Sequence, residues 1–134
     1  MPLAASTTPL PPDQVDPQRP RVSLCEPDAL FRALLGEWLL SAGCEPVRCE
    51  AGASANGVAL VIADVPTPRM NGAASIAALR QRFPGAKVLA ISGQFIPGIR
   101  GGITAAAELG ADAVLAKPVA AKVFITAVQV LLGS

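Results

Sequence analysis

The chain has 134 residues, enough for one domain, and 51% of them are hydrophobic, so a sizeable core can be buried. Its net charge is +1 with no basic block or stripe, which argues against nucleic acid or an anionic membrane as the main partner. The absence of histidine excludes a Cys/His zinc site and any Ser-His or Cys-His catalytic pair, and the three cysteines, Cys25, Cys44 and Cys49, read as reduced, partly buried thiols.

Residues 1–20 are rich in Pro, Ser, Thr and Ala and carry few large apolar side chains, so a disordered Pro-rich tail is expected there. This segment lacks the basic and apolar regions of a signal peptide. The longest apolar candidate, Val119 to Leu132, is interrupted by Lys122 and Gln129, whereas a membrane span needs about 20 apolar residues. A cytoplasmic protein without a membrane anchor is expected.

From Arg21 onward the pattern alternates strand and helix. Arg21–Cys25 reads as a strand. Asp28–Ala42 reads as a helix, with Leu30, Phe31, Leu34, Trp38 and Leu39 at helical spacing and Gly43 as its stop. Glu45–Cys49 is a second strand, and Val58–Ala63, continuously apolar, a third buried on both faces. A turn over residues 65–72 leads into a helix at Ala73–Phe83, closed by Pro84-Gly85. Lys87–Ile91 is the fourth strand, Ile103–Leu109 a helix stopped by Gly110, Asp112–Ala116 the fifth strand and Ala120–Leu132 the last helix. Repeated strand–helix units with short connections predict an α/β fold with a doubly wound parallel sheet over residues 21–134, with no second domain.

Ligands of such sheets bind beyond the carboxyl ends of the strands. Those ends carry Glu26 and Asp28 after the first strand, Asp64 after the third, Ser92 after the fourth and Lys117-Pro118 after the fifth. An acceptor carboxylate, a second acidic group, a hydroxyl and an ammonium suit the transfer of a phosphoryl group onto Asp64. A carboxylate can attack phosphorus, magnesium held by carboxylates can offset the charge, and Ser92 and Lys117 can each engage a phosphoryl oxygen.

Three segments carry a resemblance. Asp64 to Gly72, with Pro68 and Met70-Asn71-Gly72, looks like the acceptor loop of the receiver domain of bacterial two-component response regulators. Leu89 to Gly93 is similar to that family's fourth strand, and Gly110 to Pro118 to its fifth strand with the Lys-Pro pair. The resemblance implies a flavodoxin-like five-stranded parallel sheet of order 2-1-3-4-5. It implies a single-domain response regulator with Asp64 as phosphoacceptor, Lys117 contacting the phosphoryl group and Ser92 sensing it. It also implies Mg2+ held by Glu26, Asp64 and the backbone carbonyl of Pro66. The phosphoryl donor would be a sensor histidine kinase or a histidine phosphotransfer protein, and output would pass through a downstream partner of unknown identity. The chain would be a signalling module, not an enzyme.

Three departures from the family qualify these expectations. The usual second acidic residue after the first strand is replaced by Pro27, so weak magnesium binding is expected. Asp28 reads either as the N-cap of the first helix or as a further metal contact. The family's aromatic switch on the fifth strand is replaced by Val114, which leaves Ser92 and the loop Gly93 to Gly102 to relay a signal, if that loop is more than a connector. The link between the second and third strands, residues 50–57, is too short for an ordinary crossover helix, so a shortened or missing second helix is expected. The last helix has a broad apolar arc that is either well buried or the contact of a homodimer. Pro27 and Val114 also support the alternative of a pseudo-receiver, a phosphorylation-independent interaction module.

Overall fold

The computed structural model describes residues 19–49, 57–66, 68–94 and 106–133. In chain order the elements are β1 (Arg21–Cys25), α1 (Ala29–Ser41), β2 (Glu45–Arg48), β3 (Val58–Asp64), α2 (Ala73–Arg82), β4 (Lys87–Ser92), α3 (residues 106–109), β5 (Ala113–Ala116) and α4 (Ala121–Leu131). All neighbouring strands run parallel, in the order β2-β1-β3-β4-β5. This is the doubly wound sheet that the repeated units predict. Among the described residues no helix separates β2 from β3, and residues 50–56, where a remnant would lie, fall outside the described residues, as does most of the tail at 1–20 and of the loop at 93–102.

The period-two alternation of strand side chains divides the core between the two sheet faces. Val22, Leu24, Leu60, Ile62, Leu89 and Ile91 meet Leu35 and Leu39 of α1 and Phe124 and Val128 of α4. The alternate residues Ala63, Val88 and Ala90 pack with Ile76 of α2 and Leu109 of α3, while Val58 and Val61 pack with Phe83 and Ala86. The unbroken apolar run of β3 therefore serves two layers at once, whereas the four residues of the edge strand β2 are half-buried or exposed.

Local chemistry sets the element ends. Asp28 is the N-cap of α1, its Oδ1 accepting from the backbone N–H groups of Leu30 at 3.0 Å and Phe31 at 3.2 Å. Asp28→Ala is expected to cost about 1 kcal/mol in denaturant unfolding, and Asp28→Asn close to nothing, because an amide oxygen caps as well as a carboxylate. Gly43 terminates α1 in the left-handed region at φ 83°, where a β-carbon would be strained. A five-residue π-helical turn, Pro68–Gly72, occupies the place expected to be plain turn and feeds directly into α2. At the start of β5, Asp112 accepts from the Val88 backbone N–H at 2.8 Å and pairs with Arg80 of α2 at 3.1 Å. That use of the side chain places Asp112 just before the strand.

The expected broad face of α4 is divided. Phe124 and Val128 are fully buried, whereas Val123 and Val130 are exposed.

Candidate functional site

The register brings four strand ends to one edge of the sheet. Cys25 lies opposite Ala63, so Glu26 follows next to Asp64; Asp64 lies opposite Ile91, so Ser92 follows on the far side; and Ser92 lies opposite Ala116, so Lys117 comes next. Two backbone bonds beyond the ladders hold these ends together, from Val65 N–H to the Ile91 carbonyl at 2.9 Å and from Lys117 N–H to the Ser92 carbonyl at 3.0 Å. The peptide between Lys117 and Pro118 is cis.

Lys117 joins the two carboxylates. Its Nζ donates to Asp64 Oδ1 at 2.9 Å and to Glu26 Oε1 at 3.4 Å, and it sits 5.1 Å from the centre of the Phe31 ring. Burial pushes the ammonium's pKa down, but the hydrogen bond to Asp64 and the charges of Asp64 and Glu26 together outweigh it and hold the pKa above the usual lysine value. The Glu26 side chain is only 3% exposed and that of Asp64 11%, so the lysine neutralises charge that water barely reaches.

Glu26 is fixed on both sides. Its Oε2 accepts from the Asp28 backbone N–H at 3.0 Å, and its own carbonyl accepts from Arg32 Nη1 at 2.8 Å. Ser92 is fully buried, and its hydroxyl oxygen accepts from the Gln94 backbone N–H at 3.1 Å. The hydroxyl proton remains available to an oxygen acceptor. Val114, in the place of the family's aromatic residue, is half-buried and packs on the core beneath α2 and α3.

Sequence reasoning placed Glu26, Asp64, Ser92 and Lys117 at this edge, and they meet there. Of the two readings left open for Asp28, its carboxylate takes the capping one. The ring of Phe31 and the guanidinium of Arg32 were not anticipated as neighbours of the site. Only their positions one turn into α1 hinted at them, and helical spacing alone assigned Phe31 to the core.

The cysteine expectation is corrected. Cys25 and Cys49 are joined by a disulfide, and only Cys44 is free, buried beneath the β1–β2 layer with its thiol pKa raised by burial and partly offset by Arg19. The physical reason is register. Arg21 lies opposite Glu45 and Leu24 opposite Arg48, so Cys25 and Cys49, one residue further along each chain, come within bonding reach with Cα atoms 5.0 Å apart.

The hard oxygen donors brought together here are the carboxylates of Glu26 and Asp64, and Mg2+ takes one or two carboxylates and completes its octahedron with water and substrate oxygens. They fit it in kind. Among the described residues no group of three or more His, Cys, Asp or Glu residues is placed to hold a metal, so any protein donor set is small.

No family model matches the sequence, and no curated protein matches it significantly. Solved structures do match. A response regulator from Thermotoga maritima superposes with a TM-score of 0.68 at 18% identity, covering 87% of this chain and 99% of its own. The non-phosphorylated HemR receiver domain from Leptospira biflexa gives 0.67 at 22% identity, covering 87% and 96%. A response regulator receiver protein from Burkholderia phymatum gives 0.63 at 26% identity, covering 86% and 96%. With its strand order, its helices on both faces and these likenesses along almost the whole length of each neighbour, the chain has the response-regulator receiver fold.

Proposed function

We propose that the chain acts as a receiver that accepts a phosphoryl group on Asp64 and thereby changes its binding to a partner. The observation that carries this reading is the Lys117 ammonium held 2.9 Å from Asp64, at a sheet edge that also presents Glu26 and Ser92. One carboxylate oxygen of Asp64 attacks phosphorus, and the donor's leaving nitrogen, on a phosphohistidine of a sensor kinase or histidine phosphotransfer protein, departs with the electron pair of the broken bond. Lys117 then pairs with a phosphoryl oxygen, and the Ser92 hydroxyl donates to another. Glu26, Asp64 and the Pro66 carbonyl would hold magnesium weakly, and when bound it would neutralise charge on the incoming phosphoryl oxygens.

In this reading the protein is a bacterial, cytoplasmic signalling module rather than an enzyme. No helix among the described residues is long and apolar enough to cross a membrane. Output passes to a downstream protein, and the exposed Val123 and Val130 of α4 are the place for a homodimer contact. A second reading, the phosphorylation-independent interaction module, draws on two observations. Pro27 offers no ligand side chain, and Asp28 is committed to its cap.

Incubation with acetyl phosphate and Mg2+, followed by intact mass, separates the two. The expected result is one phosphate adduct, absent in Asp64→Ala. No adduct under conditions that label an ordinary receiver would leave the interaction module as the function.

A further inference from the structure

We propose that Cys25 and Cys49 form a reversible redox site that fixes both the edge strand β2 and the position of Glu26. The bond joins the last residue of β1 to the residue after β2, and Cys25 is bonded through the chain directly to Glu26, the buried partner of Lys117. At its start β2 is also held by the buried Cys44 and by the bond from Glu45 N–H to the Pro20 carbonyl at 2.8 Å, and along its length by the ladder to β1 and the packing of Val47. The disulfide adds a covalent tie at the strand's other end, the end nearest the site.

The surroundings suit exchange. Both cysteines are only partly buried, and they line a cavity of about 310 Å³ that also touches Glu26, Arg32 and Arg48. The Arg82 guanidinium donates to Cys49 Sγ at 3.6 Å, where it stabilises the thiolate released when the bond opens. A dithiol reductant supplies the electrons. Its thiolate attacks Cys25 Sγ and forms a mixed disulfide, and Cys49 leaves with the electron pair of the S–S bond. The reductant's second thiol, as thiolate, then attacks the mixed disulfide and closes the reductant into its own ring, and Cys25 leaves. Two electrons pass from the dithiol to the protein, and the two protons from its thiols end on Cys25 and Cys49. Oxidation by a disulfide of the glutathione class reverses the step. Cys44 takes no part, being fully enclosed in the core on the other side of the strands.

The test uses the full chain. Peptide mapping without reductant is expected to find the Cys25–Cys49 link in wild type and in Cys44→Ser. Dithiothreitol is expected to open it under native conditions, making both cysteines alkylatable while Cys44 stays protected, and glutathione disulfide to restore it. Amide exchange in β2 is expected to rise on reduction, and the thermal midpoint to fall. If Asp64 is the phosphoacceptor proposed above, its labelling rate drops several-fold in the reduced protein, and Cys25→Ser/Cys49→Ser reproduces the reduced values without responding to redox.

Absence of the link, a link to Cys44, or β2 exchange and midpoint unchanged by reduction would overturn the proposal. Failure of Asp64 to label in either state would count against the receiver reading alone, since the mapping, exchange and midpoint do not involve phosphate.

Discussion

Replacing Lys117 by alanine is expected to lower both the stability of the domain and the rate at which Asp64 is phosphorylated. The ammonium is the cation that bridges the Glu26 and Asp64 carboxylates, whose side chains are 3% and 11% exposed. Breaking a buried ion pair by removing one partner costs about 3–5 kcal/mol because the remaining charge is stranded. Lys117 itself is 32% exposed, so water recovers part of that, and about 1–3 kcal/mol is expected in urea unfolding at neutral pH. The deficit should shrink in Lys117→Ala/Asp64→Asn, which leaves a single acid. At the alkaline end the deficit fades. The raised pKa of Lys117 means the wild-type pairing contributes fully below the ordinary value of 10.5 and fades as pH rises through the folded value, so the two proteins converge there. Labelling by acetyl phosphate should fall by roughly a hundredfold, the lower end for loss of one oriented electrostatic donor. Equal stability of the two proteins from neutral to alkaline pH would show that the bridge contributes nothing to the fold.

The chain order of apolar runs makes the sheet legible, because each run ends on a turn signal or a polar residue. Parallel strands put all their carboxyl ends on one side. This is why Asp64, Ser92 and Lys117 are identifiable before any register is known. The finer allocation is not legible in the same way. Glu26 and Asp28 are two residues apart, and which carboxylate caps α1 and which meets Lys117 depends on where the helix axis starts. The helix begins at Ala29, which gives Asp28 the cap and turns Glu26 inward. The disulfide was missed for a related reason. Three cysteines allow three pairings, and composition favours none of them. Only the pairing of Arg21 with Glu45 reveals that Cys25 and Cys49 sit at the same distance along adjacent strands. Likewise the apolar arc of α4 could be followed from residue spacing, but its division into a buried side at Phe124 and Val128 and an outer side at Val123 and Val130 depends on the helix's rotation over the sheet.

The largest loss of stability from a single side chain is expected at Phe124. It is fully buried on α4, and its ring centre lies 5.7 Å from that of Trp38 on α1. The two helices thus meet over β1, β3 and β4 through this one aromatic contact and the Leu35, Leu39 and Val128 side chains around it. Truncation to alanine removes the transfer energy of a ring and leaves a cavity that rigid strands beneath cannot fill, about 3–5 kcal/mol. Phe124→Leu, which keeps most of the volume, should cost less than about 1.5 kcal/mol. Trp38 is the chain's one tryptophan, so its fluorescence reports the contact directly, and the emission of Phe124→Ala should shift to longer wavelength in the folded state. A domain of ordinary stability has only about 5–15 kcal/mol to lose, so a sizeable unfolded fraction is expected on mild warming. Labelling of Asp64 in the folded fraction at low temperature should nevertheless persist. Asp64, Ser92 and Lys117 are set by β3, β4 and the end of β5, whose ladders Phe124 does not join. Loss of labelling together with the fluorescence shift would instead mean that α1, through Asp28 and Arg32 on Glu26, holds the site as firmly as the sheet does.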